Sequence, residues 1–145
     1  MIITIIKGLL FAALLVYAAV SDIKRREVDN WVCVAVLIVG LIGSGGSFWG
    51  AVITALPFFI PALFKGGGMG GGDVKLMFAC GAVLGVWGGL IQTVLALSLA
   101  GVFSFGILFK KGFTACKKTA IPLAPFLCAG GIAAYIITNM GGILF

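Results

Sequence analysis

The chain holds four carboxylates and no histidine. Three of them, Asp22, Glu27 and Asp29, fall within the segment SDIKRREVDN, and the fourth, Asp73, closes the glycine run GGGMGGGD and is followed by Val74, Lys75 and Leu76. Without histidine, a serine or cysteine nucleophile has no partner base, and Ser98 and Ser104 stand in an apolar run with no acid beside them. Two aspartates can still hydrolyse an amide. One, ionised, activates a water while the other, protonated, polarises the carbonyl, provided their surroundings pull their pKa values apart.

The glycine run lacks the G-K-[ST] ending and the preceding strand that a phosphate-binding loop requires. A plain flexible linker would gain nothing from an acid and a lysine at its end, whereas glycine permits close approach of another backbone. The four cysteines, Cys33, Cys80, Cys116 and Cys128, lie singly, with no C-x-x-C pair. They read as buried free thiols, and neither a metal nor another cofactor is expected.

The elements that must position these acids are set by composition. Of the 145 residues, 62% are hydrophobic and 10% charged, and the mean hydropathy is +1.27. One soluble core cannot bury that much apolar surface, so the chain reads as an integral membrane protein. Its apolar runs lack the alternation of barrel strands, and backbone groups in lipid must then be satisfied by helices. The expected fold is all-α, a polytopic membrane bundle of about six transmembrane helices forming one domain over residues 1–145. The spans run Ile2 to Val20, Trp31 to Ile42, Phe48 to Phe64, Leu76 to Val86, Leu90 to Phe109 and Ile121 to Asn139, with turns at GSGGS and at Gly85 to Gly89. The first reads as a retained span rather than a cleaved signal, because Ser21-Asp22 and a basic cluster follow it at once and cleavage would leave that polar motif as a bare terminus.

Six alternating crossings put the 21–30, 65–75 and 110–118 segments on one side. Every basic residue except Lys7 lies in those segments. The positive-inside rule makes that side cytoplasmic, and the same parity brings Asp22 and Asp73 to one membrane face. The net charge of +6 is therefore orientation information, and no nucleic-acid partner is expected, since basic and aromatic residues are not interleaved.

At this point three segments resemble one family, the type IV prepilin leader peptidases, membrane aspartic proteases of the GxGD class. Gly70-Gly71-Gly72-Asp73 with Val74-Lys75-Leu76 matches the GxGD motif. Asp22, its basic tail and Asn30 match the first-aspartate motif, and Ile121-Pro122-Leu123-Ala124-Pro125-Phe126-Leu127 looks like the C-terminal proline motif. The resemblance implies an endopeptidase in the cytoplasmic membrane that cuts the basic leader from type IV prepilins or pseudopilins, proteins of pilus and secretion systems. Asp22 and Asp73 would be the catalytic pair, facing the cytoplasm. Gly70, Gly71, Gly72, Lys75 and Asn30 would lie at the substrate, and Glu27 and Asp29 would read the leader's charge.

Two departures stand out. Asp29 occupies the position where the family usually has proline. The chain also carries neither the cysteine-paired cytoplasmic segment of many bacterial members nor any close cysteine pair, so peptidase activity without N-methyl transfer is expected. A different class, a small channel or transporter subunit with Asp73 on a re-entrant glycine loop, would need more polar residues within the spans and recognisable inverted repeats.

Overall fold

The computed structural model describes residues 1–42, 47–64, 71–112 and 122–140. Its helices are α1 (Ile2–Arg25), α2 (Asn30–Leu41), α3 (Phe48–Phe64), α4 (Gly71–Lys111) and α5 (Ala124–Tyr135), the last continued by a π-helical turn, Ile136–Met140. All the regular structure among the described residues is helical. The expected GSGGS turn, Gly70, Cys116 and the Lys117-Lys118 pair fall wholly or partly outside the described residues.

Among the described residues two helices, α1 and α4, are long and apolar enough to cross a membrane. Their outer faces are apolar too: Leu9, Val16, Trp87, Val94, Val102 and Phe109 are all exposed. Large exposed apolar surface on every side needs lipid rather than water around it, so this is a membrane protein.

α4 runs through the position where a turn between two spans is expected, but it breaks there. Gly85 has φ 73° and ψ −175°, a conformation accessible essentially to glycine alone. The reversal is sharper than the expected Gly85 to Gly89 turn, because Gly88 and Gly89 are helical and serve as packing sites. A side chain on Gly89 would strike Thr54, and one on Gly88 would meet Leu84 at 2.9 Å. Where α3 crosses the first limb of α4, the Thr54 hydroxyl lies 2.7 Å from Gly50 O and 3.2 Å from Met77 O, able to donate to either. Gly50 and Gly81 leave the two backbones in direct contact there, the close approach that small residues allow between helices in lipid.

The core is narrow and runs along the bundle. Phe11, Leu15 and Ala18 of α1, at helical spacing, meet Val32 and Val36 of α2, Leu76, Met77 and Cys80 of α4 and Leu127 of α5. α1 and α5 pack antiparallel. Tyr135 Oη donates to Thr4 O (2.7 Å), Cys128 Sγ to Leu15 O (2.7 Å), and Ala124 N–H to Asp22 Oδ2 (3.2 Å). The end of α1, the start of α2, the start of α4 and the start of α5 thus share one end of the molecule. At the opposite end the Lys7 ammonium donates to Gly40 O (3.3 Å), near the end of α2, where the helix macrodipole favours a cation.

Candidate active site

The first carboxylate is not in a solvated connector. α1 continues past the expected boundary at Val20 to Arg25, so Asp22 sits on the last turns of a helix, 8% exposed. Arg26 ends the helix in the left-handed region (φ 56°, ψ 27°), its N–H donating to Asp22 O (2.8 Å). Ser21 Oγ then donates to Glu27 O (3.2 Å), folding the 26–29 connector back along the helix end. Asp29 is the N-cap residue of α2 in extended conformation, but its side chain makes no cap hydrogen bond.

The second carboxylate enters from α4. Gly71 and Gly72, expected in a loop, form the first turn of the helix, and Asp73 stands in that turn ahead of the apolar run that starts at Leu76. Gly72 is needed for contact: a Cβ there would lie 3.1 Å from Val28 Cβ of the connector, whereas Gly71 has nothing within 4 Å. Lys75, one residue beyond Val74, donates from Nζ to Asn30 Oδ1 (3.0 Å) and ties the starts of α4 and α2 together. Glu27, Asn30 and Lys75 are exposed, and Asp29 is half-buried. The structure therefore gathers all the expected site residues that it describes at one end, with Asp22 the most deeply set.

The two aspartates feel each other. Burial first, and the negative charge of Asp22 second, push the Asp73 carboxyl from its ordinary 3.8 up to about 6. Asp22 has a different neighbour. Ala124 is the first residue of α5, Pro125 has no N–H, and the N–H groups of Phe126 and Leu127 both donate to Leu123 O (3.1 Å each). Of the first four residues of α5, Ala124 alone has an N–H free of this turn, and it goes to Asp22 Oδ2. A backbone donor at the positive end of a helix suits a carboxylate. The two carboxyls thus stand in different surroundings: Asp73 is raised by burial and by the charge of Asp22, and Asp22 accepts a backbone hydrogen bond from the start of α5.

Sequence reasoning did not assign this partner, since Pro122 and Pro125 read equally well as punctuation at a helix start. The available signal was parity, which starts the last helix on the face that carries Asp22.

An apolar groove of about 600 Å³ lies between α2, α3 and the first limb of α4; neither aspartate lines it, although Val74, next to Asp73, does. Val34, Leu37, Leu56, Phe59 and Phe78 line it, and Asn30 and Lys75 supply its polar groups. Cys33, Cys80 and Cys128 are buried free thiols, as expected.

Residues 9–107 match the family model described as the type IV leader peptidase family. The chain is 30% identical over 145 residues to the prepilin leader peptidase/N-methyltransferase of Bacillus subtilis (strain 168), an alignment covering 89% of this chain and 54% of that protein. It is 36% identical over 95 residues to the preflagellin peptidase of Methanocaldococcus jannaschii, covering 59% of this chain and 41% of the relative. A prepilin leader peptidase/N-methyltransferase of Legionella pneumophila is 42% identical over 66 residues, covering 46% and 22%. The chain therefore spans about half or less of the length of the curated relatives it matches. No solved structure matches it significantly.

Proposed function

This chain belongs to the type IV leader peptidase family, and from that premise we propose that it is an aspartic endopeptidase removing the basic leader of a prepilin or pseudopilin at the cytoplasmic face of the membrane. The observation that carries the reading is the asymmetric carboxyl pair, Asp73 lifted by burial and by Asp22, and Asp22 held by the Ala124 N–H. In this mechanism Asp22 takes a proton from a water, whose oxygen attacks the scissile carbonyl carbon. Asp73 gives its proton to the carbonyl oxygen as the tetrahedral intermediate forms. Collapse of the intermediate breaks the C–N bond, the amine leaves with the proton taken by Asp22, and Asp73 recovers its own.

The helices cross the bilayer six times in this reading, counting the two limbs of α4 separately. Lys24, Arg25 and Arg26, with Lys75, Lys110 and Lys111, give the aspartate end the basic character of a cytoplasmic face. A cysteine replacing Glu27 in a cysteine-free variant is expected to react with an impermeant thiol reagent in inside-out vesicles and to be shielded in right-side-out ones. The reverse pattern would put the active end outside.

Glu27, Asp29 and Asn30 line the approach of a cationic leader in this reading, and Gly71, Gly72 and Lys75 the peptide backbone beside Asp73. Methyl transfer is not part of the proposal. Co-expression with a candidate prepilin should produce a leader-sized mobility shift that chelators do not prevent, with no methyl group added to the mature N-terminus. An unshifted prepilin across a panel of pilin-like substrates would count against the proposed activity.

A further inference from the structure

Gln92 is the polar side chain most out of place in the core. It is wholly buried on the second limb of α4, and its Oε1 has no hydrogen-bond partner among the described residues. An unsatisfied amide oxygen in an apolar interior costs on the order of 1–3 kcal/mol, so whatever the side chain contributes comes from its remaining contacts, one of them to Cys80. Its Nε2 donates to Leu127 O (3.0 Å), in the same first turn of α5 whose Ala124 N–H meets Asp22.

The surrounding packing fixes this contact tightly. A Cβ on Gly131 would lie 2.9 Å from Gln92 Nε2, and one on Gly130 would lie 2.9 Å from Gln92 O and 3.2 Å from Ala96 N. Two adjacent glycines thus let α5 approach close enough for the amide to reach a helix carbonyl. Cys128 Sγ, donating to Leu15 O, secures the same stretch of α5 to α1 from the other side.

We propose that Gln92 is a positioning residue for the catalytic pair, holding the first turn of α5 where the Ala124 N–H reaches Asp22. It touches neither aspartate. Without the Gln92 anchor the first turn of α5 keeps its tie to α1 through Cys128 but loses its tie to α4, and it can tilt about the remaining one; the Ala124 N–H bond to Asp22 then lengthens, and the carboxylate form needed in a base is less favoured. The groups that face Asp22 and would shape the response are Asp73 from α4 and the Cys128 thiol from α5, with Cys33 of α2 in the fields of Lys75 and Asp73.

The inference rests on the aspartic peptidase reading, and the experiment separates the two. Cleavage of a peptide spanning a prepilin leader junction is measured from pH 4 to 9 with purified full-length protein. Loss of cleavage on replacing either aspartate by alanine tests the peptidase reading alone. Gln92→Met, similar in length but unable to donate, is expected to lower kcat by about tenfold, with KM within about twofold. Its acid limb should move upward by about half a pH unit or more. Gln92→Glu, protonated in the apolar interior and able to donate to Leu127 O, should recover most of the rate. Should Gln92→Met fail to accumulate in the membrane, Gly130→Ala, which pushes α5 from the α4 backbone, should move the acid limb in the same direction. An acid limb that stays in place in whichever of these two variants accumulates would overturn the proposal, as would a Gln92→Glu rate no better than that of Gln92→Met.

Discussion

Asp73→Asn is expected to abolish leader cleavage and at the same time to make the protein more stable at neutral pH. The amide is nearly the same size as the carboxyl and can still donate a hydrogen bond, but it cannot give up a proton to the carbonyl oxygen, so the rate should fall by at least about 10³-fold. Stability moves the other way. Burial and the charge of Asp22 lift the Asp73 carboxyl from 3.8 to about 6, so the folded protein binds more protons than the unfolded chain between those values. The stability of the wild type therefore falls as pH rises through that window. Above it the wild type carries the whole penalty and the asparagine variant none. The ceiling is about 3 kcal/mol for about two units, and solvent access at this half-buried site reduces the expected gain to about 1 kcal/mol. Thermal unfolding in detergent at pH 7 and pH 4 checks the sign: the variant should melt higher at pH 7, with the difference shrinking at pH 4. A melting difference independent of pH would place the effect in packing rather than charge.

The second large effect is on rate against pH. In the proposed mechanism cleavage requires the proton on Asp73, so kcat/KM should be highest at about pH 5 to 6 and fall about tenfold per unit above that range. It should also fall at lower pH, where the pair takes up its second proton and no carboxylate is left to accept one from water. Both limbs report the pair rather than either residue alone. A flat profile from pH 5 to 9 would remove Asp73 from the role of acid.

Much of this was legible in the sequence because lipid constrains so strongly. Apolar runs punctuated by basic segments are sufficient to give helices, and alternation of those helices brings Asp22 and Asp73 to one end although far apart in the chain. What was not legible is local and concerns helix ends. A polar segment such as SDIKRR reads as a connector by composition, yet the helix carries on through Asp22, because Arg26 supplies the left-handed residue that stops it and Ser21 ties the connector back. Gly71 and Gly72 read as loop, yet they begin α4, since a contact with Val28 rather than backbone freedom requires the small residue at position 72. Gly88 and Gly89 read as a turn for the same reason, when only Gly85 reverses the chain and the other two receive neighbouring side chains.

The donor to Asp22 is a backbone N–H, which no residue-type pattern marks. It became identifiable once the start of α5 showed which of its N–H groups were already used. Gln92 carried a faint signal as a lone amide in an apolar run, but its bond to Leu127 depends on helix register that composition does not encode.

The central claim is that Asp22 and Asp73 act as a single catalytic unit, and the most direct measurement is cleavage of one co-expressed prepilin by wild type, Asp22→Ala, Asp73→Ala and the double variant at matched membrane levels. The account predicts a complete leader-sized shift with wild type, none with either single variant, and a double variant no worse than the singles, because losing one member already disables the pair. A folded, membrane-inserted Asp22→Ala or Asp73→Ala that still cleaves at a near-normal rate would contradict it.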